Sequence, residues 1–550
     1  MAHCQILIAE TMIPLAQTQA HPREPLSSHL EETGLLIRNS CHPDFEYKPY
    51  ALLAGLFHDA GKGTSFFQNY LQTGKRHGDL SDHALVSAHL FAHTLGRFGA
   101  NADKSYGALL GFLAIARHHG NFTQDIPSLI SRYRDELEKR NRTTLVRQLE
   151  ALDLQGLSEF INHMVRKYGL PLEPVVFRPA AELPGEFLKT FWSFSSFGQN
   201  SLNRLTGEHP DFFQDLYYTC GLLWQADKIH TASRRSEVRQ TPIPSDLVDT
   251  YLQDLVPKNR FDEVRAEIHA RVLEAVSSSH MERLFTLTAP TGSGKTLTLL
   301  DAALSLKSGI QAKRIIYCLP FTSVIEQNYA VFQEVLAQRF GRDNVLEDML
   351  LKHHHLSEPV YQEQSHASSE LSPDGQALFV ETWQSELVVT TFHQLLSSIF
   401  SSKNRHIKRF PQLCRAVIIL DEVQAIPVKY WEIVGRLLSS MSRRFQTAVI
   451  LATATKPLIF TPDMEVRELL AGHQDYYRML SRIQLVNRAC SNGQSLQTPF
   501  SEFLEELAQT VTGKQNMLLV LNTKNAVRQA YDYFQENRTM PRENVLLLSK

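Results

Sequence analysis

The 550-residue sequence is short of several things at once: long apolar runs, a basic leader, paired cysteines and net charge. No stretch approaches the roughly 18 apolar residues of a membrane-spanning helix, so no membrane partner is expected. The N-terminus, MAHCQILIAETMIPLAQ, has no basic start followed by an apolar block. A secretory leader is therefore not expected, and the cytoplasm is the expected compartment. The six cysteines (Cys4, Cys41, Cys220, Cys318, Cys414 and Cys490) include no CxxC pair. That argues against a zinc ribbon and a disulfide framework. Lys and Arg number 56 against 58 Asp and Glu, for a formal charge of −2. The whole chain is not a uniformly basic nucleic-acid binder, although a strand-tracking enzyme can confine its positive charge to one groove.

Histidine, by contrast, is plentiful: 23 in all, many of them in the first 120 residues and several paired or beside an aspartate. Such clusters are how metal sites show in a sequence. The same region reads as helical, because apolar residues recur at three- and four-residue spacing in ALLAGLFHDAGK, HALVSAHLFAHTL and YGALLGFLAIARHH. Residues 231–246 are polar, Arg-rich and carry two prolines, which suits a connection. From about 284 short β-rich runs alternate with helical segments, the texture of βαβ units and a parallel sheet. The expected architecture is an all-α domain (1–235), a linker with an amphipathic helix (236–283), an α/β domain (284–470), a connector (471–511) and the start of a second α/β domain (512–550). That last piece offers only NMLLVLNT, a helix and NVLLLSK, too little for a stable sheet by itself.

The α/β region contains the strongest motif, Ala289 to Thr296 (APTGSGKT), between the strand-like LFTLT and an apolar helix. A phosphate-binding loop needs that context. Thr291, Gly292, Ser293 and Gly294 form the turn whose N–H groups would face phosphates at a helix N-terminus. Lys295 would contact the β- and γ-phosphates, and Thr296 would contact Mg2+. The first position is Ala289 rather than the Gly of the strict pattern. Asp421-Glu422-Val423-Gln424 closes the apolar run AVIIL: Asp421 to hold Mg2+, Glu422 to orient or deprotonate the attacking water. Thr453-Ala454-Thr455 closes AVILA. Leu319 to Ser323 follows RIIYC, and Thr390 to Gln394 follows ELVV. In order and placement this set resembles superfamily 2 helicases of the DExH/DExD-box kind. The resemblance implies RecA-like domains, ATP with Mg2+, coupling of hydrolysis to strand movement at Thr453, Ala454 and Thr455, and nucleic-acid contacts at the last two motifs. The motifs that complete the second RecA-like domain have no match up to residue 550, so a motor half is expected to be missing.

The second constellation is His58-Asp59-Ala60-Gly61-Lys62. Adjacent His and Asp can bind one metal or bridge two. Further candidates are His29, His83, the pair His118-His119 and Asp227. The arrangement resembles the HD superfamily of metal phosphohydrolases. With the helicase motifs on the same chain it looks like the CRISPR-associated helicase–nuclease of type I systems. That resemblance implies His29, His58, Asp59, His83, His118, His119 and Asp227 as ligands of two divalent transition-metal ions (Mn, Fe, Co, Ni or similar), with Asp59 shared and Lys62 an active-site cation. Two such ions roughly 3.5–4 Å apart can activate water and stabilise both oxygens of a phosphodiester displacement. Asp59, Lys62 and Glu422 are thus the expected catalytic groups. His89 and His93 share a helical face and are read as structural. His353, His354 and His355 are read as a solvated loop.

The function these features imply is a metal-dependent nuclease on single-stranded DNA coupled to an ATP-dependent translocase. The implied partner is an RNA-guided, Cascade-like surveillance complex whose R-loop offers the displaced strand. The alternatives are an HD phosphohydrolase acting on nucleotides and a helicase-like ATP-binding module in a docking role.

Overall fold

A computed structural model describes residues 12–96, 102–122, 126–135, 142–189, 211–233, 241–255, 259–279, 281–345, 348–354, 373–455, 458–480, 490–491, 494–495, 498–510 and 517–536. The chain divides into two compact units, residues 1–480 and 481–550.

The first unit begins with the helical region that the apolar spacing predicts. Its site-bearing helices are α1 (Leu26–Ser40), α2 (Lys48–Phe57), α3 (Ala84–Gly96), α4 (Ala102–Ala116) and α5 (Asp211–Ser233). On α1, Leu26, His29, Leu30, Thr33, Leu36 and Ile37 are buried, one stripe at three- and four-residue intervals. The 23-residue α5 packs against α1, α2 and α4. The indole N–H of its buried Trp224 donates to Ala114 O at 2.8 Å.

The α/β part is a seven-stranded sheet, in chain order β1 (Leu284–Thr288), β2 (Arg314–Leu319), β3 (Leu350–His353), β4 (Leu387–Thr391), β5 (Ala416–Asp421), β6 (Ala448–Thr453) and β7 (Val466–Glu468). Every pairing is parallel, in the spatial order β3-β4-β2-β5-β6-β1-β7. The strands are near-continuous apolar runs because both faces are covered. Ile315, Tyr317, Val417 and Ile419 point into one core with helices α6 (Arg260–Ser277), α7 (Lys295–Gly309) and α8 (Thr322–Phe340). Ile316, Cys318, Ile418 and Leu420 point into the other. That second core runs without a break into the helical region, through Phe410, Tyr217 and Tyr218. The all-α part and the parallel α/β part are therefore packed as one unit.

Three sequence expectations need correction or amplification. β3 and β7 are strands that the hydropathy pattern did not announce: both are short, with mixed composition. His353 is not in a solvated loop; it ends β3, packs edge-on against Trp383 and has Arg409 Nη2 at 3.3 Å. His354 is buried, with Nε2 3.3 Å from Glu326 Oε1. His355 lies outside the described residues. His89 and His93, read as structural, are buried among aromatic rings, His89 stacked on Phe187 at 5.3 Å.

In the second unit Phe500–Thr510 and Lys524–Glu536 form helices that share a small core of Leu504, Ala530 and Phe534. The expected strand NMLLVLNT carries no strand over 517–521. A strand needs a neighbour for its backbone groups, and the expected neighbour NVLLLSK lies outside the described residues.

Candidate metal centre and nucleotide site

The seven histidines and aspartates singled out from the sequence come from five separated segments and meet in one place. His29 projects from α1. His58 caps the C-terminus of α2 and Asp59 follows it. His83 precedes α3, His118 and His119 follow α4, and Asp227 lies on α5. They form two four-residue clusters that share Asp59: His29, His58, Asp59 and Asp227, and Asp59, His83, His118 and His119. Within each cluster the donor atoms lie within 4.8 Å of one another.

The two Asp59 oxygens face different clusters. Oδ2 is 3.2 Å from His29 Nε2 and 3.3 Å from His58 Nε2. Oδ1 is 3.1 Å from His83 Nε2 and 3.4 Å from His118 Nε2. Asp227 Oδ1 closes the first cluster at 3.6 Å from His29 and 3.7 Å from His58. Lys62 Nζ lies 2.7 Å from Asp59 Oδ2.

This donor set fits a pair of divalent ions. His29 Nε2 and His58 Nε2 face each other at 3.2 Å, and His83 Nε2 and His119 Nε2 at 2.9 Å. Two ligands at right angles on one ion, each about 2.1 Å from it, are about 3 Å apart. The buried Asp59 Oδ1, Asp227 Oδ2 and His118 Nε2 have no hydrogen-bond partner, a costly arrangement without a cation. The opposite ring nitrogens are held by carbonyls: Nδ1 of His58 is 2.9 Å from Gly55 O, and Nδ1 of His118 is 2.6 Å from Ile115 O. With an ion bound, a proton kept on Nδ1 would leave each Nε2 lone pair to ligate it. Burial pushes the Asp59 carboxyl up, but the neighbouring charges of His58 and Lys62 hold it well below the ordinary carboxylate range. Burial lowers the His83 imidazole against the pull of Asp59, so it stays neutral and able to ligate.

No motif or spacing announces the surrounding support. Glu24 Oε1 faces His29 Nδ1 at 3.4 Å and His230 Nε2 at 2.5 Å. Its segment, HPREP, has no recognisable spacing. Gly61 has a steric role: a Cβ there would lie 2.4 Å from Val86 Cγ1 and 2.6 Å from the carbonyl oxygen of His83. The bare Cα lets the Asp59 turn rest against the start of α3. Gly61→Ala should therefore lower stability by about 1–3 kcal/mol through overpacking and drive His83 from Asp59. Thermal unfolding together with metal content of the purified variant checks both; unchanged values would show that the turn can yield.

The nucleotide site lies at the C-terminal edge of the sheet, where open parallel sheets bind ligands. Ala289–Thr296 leaves β1, and Asp421-Glu422 ends β5. Thr453 ends β6, Leu319 ends β2 and Thr391 ends β4. Gly294 caps α7 with φ 81°, left-handed backbone that disfavours a side chain. A cavity of about 1200 Å³ is lined by Thr291, Gly292, Lys295, Thr296, Asp421 and Glu422. Ser293 is buried within the loop.

Lys295 Nζ donates to Ala289 O at 3.2 Å and lies 3.5 Å from Glu422 Oε1. Tyr317 donates to Asp421 Oδ2 at 2.9 Å. Burial raises the Asp421 carboxyl, partly offset by that bond and by Lys295. Gln424 links two motifs: its Nε2 donates to Glu422 Oε2 at 2.6 Å, and its Oε1 accepts from Thr453 Oγ1 at 2.6 Å. This relay joins the expected water-orienting carboxylate to Thr453-Ala454-Thr455 through one side chain. Arg265 of α6, which sequence reasoning did not single out, donates to Gly292 O at 2.8 Å.

Comparison with known proteins gives one family match and several likenesses. The family model for the DEAD/DEAH box helicase matches residues 266–460. The CRISPR-associated nuclease/helicase Cas3 of Haloferax volcanii is 28% identical over 448 residues, covering 76% of this chain and 47% of that protein. The chain thus spans about half the length of that relative. A crystal structure of a CRISPR-associated protein superposes with a TM-score of 0.51 at 15% identity, covering 93% of this chain and 61% of the other. The T. fusca Cas3–ADP structure gives a TM-score of 0.49 at 17% identity, covering 80% of this chain and 51% of that one. A helicase domain of this type uses ATP with Mg2+. The chain thus carries a DEAD/DEAH box helicase match behind a helical region and is similar, over three quarters of its residues, to a CRISPR-associated nuclease/helicase.

Proposed function

We propose that this protein cuts single-stranded DNA at a two-metal HD centre and that its helicase domain moves the strand with ATP. The observation that carries the reading is Asp59, one buried carboxylate shared by two four-donor clusters. Mixed imidazole and carboxylate donors suit Mn, Fe, Co or Ni better than Mg. Ions bound there would supply an activated water and charge stabilisation for phosphodiester hydrolysis. The chain's own part is to hold the site in shape. His29, His58 and Asp227 would fix one half, and His83, His118 and His119 the other. Lys62 would offer its ammonium to a phosphate oxygen. At the ATP site, Lys295 would meet the phosphates, Thr296 and Asp421 would hold Mg2+, and Glu422 would orient water.

A strand substrate is supported by the surface beside the centre. A cavity of about 480 Å³ is lined by His118, His119, Lys228, Lys403, Arg405 and Lys408. Its helicase-side wall is tied to the metal-ligand segment: Asn404 Nδ2 donates to His118 O at 3.1 Å, and Phe122 N donates to Ser402 O at 3.0 Å. Nothing about such a wall favours a free nucleotide over a backbone of phosphates. Replacing Lys403 and Arg405 together by Gln should weaken single-stranded DNA binding and flatten its salt dependence by roughly 0.7 log units per log unit of salt for each phosphate no longer neutralised. Fluorescence anisotropy across a salt series measures it, and an unchanged slope would place the strand elsewhere. The relative's CRISPR association extends the proposal to an RNA-guided surveillance complex, Cascade-like in type, whose R-loop presents the displaced strand. The cytoplasm is the proposed compartment.

The direct test is cleavage of circular single-stranded DNA without ATP, comparing Mn2+, Co2+, Ni2+ and EDTA. Metal-dependent nicking abolished by EDTA is expected. A folded, metal-loaded protein that cuts no DNA but releases phosphate from nucleotides would replace this reading with nucleotide hydrolysis.

A further inference from the structure

A second cavity lies at the other end of the sheet from the nucleotide site, where the helical region meets the N-terminal ends of β2 and β5. Its volume is about 380 Å³, within the range of small-molecule sites. Its charge is one-sided: Lys313, Arg314 and Arg415 line it, and none of the described residues that line it is acidic. The acids close by already have partners. Glu386 accepts from Ile243 N at 3.0 Å and pairs with Lys307, and Asp44 accepts from Gln446 at 2.9 Å.

Buried polar atoms in the lining lack partners. His42 and Gln225 are only 3% and 4% exposed, yet His42 Nε2 and Gln225 Nε2 make no hydrogen bond. Arg415 Nε is likewise unsatisfied. Native proteins rarely bury such groups without a partner. Arg415 also has φ 50°, a left-handed conformation disfavoured for a residue with a side chain and common at ligand sites. The rest of the lining is mixed: Tyr218, Leu222 and Cys414 stand beside the polar side chains of Asn39, Ser40, Gln384 and Gln412.

We propose that this cavity binds a phosphate-bearing small molecule of mononucleotide size, with its phosphate on Lys313 and Arg415 and its planar part against Tyr218 and Leu222. The Gln225 and His42 nitrogens would meet its polar edge. Both walls would be bridged by one ligand, because Tyr218, Gln225 and His42 belong to the helical region and Lys313 and Arg415 immediately precede β2 and β5.

Calorimetric titration of the full chain tests the proposal, using AMP and inorganic phosphate as probes in a Lys295→Ala background that removes phosphate binding at the ATP site. AMP should bind at least tenfold tighter than phosphate. Lys313→Gln, an exposed position that the fold tolerates, should weaken AMP at least tenfold without shifting the melting temperature of the ligand-free protein. Arg415→Gln should do the same to AMP. No binding of either probe at millimolar concentration, equal affinity for the two, or binding indifferent to Lys313→Gln would overturn the proposal. None of these readouts involves DNA cutting, so the proposal stands or falls apart from the nuclease reading.

Discussion

Asp59→Asn should abolish metal-dependent DNA cutting, by about a thousandfold or more, while ATP binding is untouched. Each oxygen of Asp59 serves a different cluster. An amide keeps the shape but loses the charge, and one of its two ends becomes a donor facing imidazole nitrogens. Losing several kcal/mol of charge stabilisation at a metal centre translates to about tenfold per 1.4 kcal/mol. The isosteric change is preferable to Asp59→Ala. Both changes remove the counter-charge of Lys62, 2.7 Å from Asp59 Oδ2, but asparagine can keep an oxygen there as a hydrogen-bond acceptor, whereas alanine leaves the buried ammonium with none. Metal content by mass spectrometry and nicking of circular single-stranded DNA are the measurements. Full metal loading in the Asn variant would show that Asp59 is not a shared ligand, and normal cutting would remove the HD centre from the reaction.

The reciprocal expectation concerns Lys295. Lys295→Ala should reduce ATP binding and turnover by about a hundredfold or more, the loss of roughly 2.7 kcal/mol or more of phosphate interaction. Cutting of single-stranded DNA without ATP should remain at its original rate. Lys295 is at the start of α7 and its ammonium lies between Ala289 O and Glu422. The substitution removes no apolar contact of the core, so the fold should persist. Nucleotide binding by fluorescence titration, alongside the nicking assay, separates the outcomes. If Lys295→Ala stopped ATP-independent cutting in a folded protein, the two sites would be one functional unit rather than two.

Much of the α/β architecture can be read from residue order, because each helicase motif follows a strand-like run and precedes a helix. A parallel sheet then has no choice but to place all those strand ends on one edge, and β1, β2, β4, β5 and β6 do so. The helical pattern of α1, with His29 on its buried stripe, is equally local. β3 and β7 escaped notice because four- and three-residue strands offer too few residues for a period-two signal. The packing of His353 on Trp383 depends on residues 30 positions apart and left no local trace.

Residue types and spacing by themselves determined the phosphate loop, the Asp-Glu pair, the change from helical to α/β texture and the His58-Asp59 pair, while the resemblance to the HD superfamily supplied the other candidate ligands. Those features are local, set by hydropathy period and by chemistry carried on a few consecutive residues. Tertiary structure alone decided that the seven residues from five segments meet around a shared Asp59, that Glu24 backs His29, and that Gln424 joins Glu422 to Thr453. It also decided that the helical region and the sheet share one core, with a positively charged cavity between them. These depend on which helix faces cross and how closely, down to the missing Cβ of Gly61. Distances across the fold come from the packing of whole elements, which no short stretch of sequence encodes.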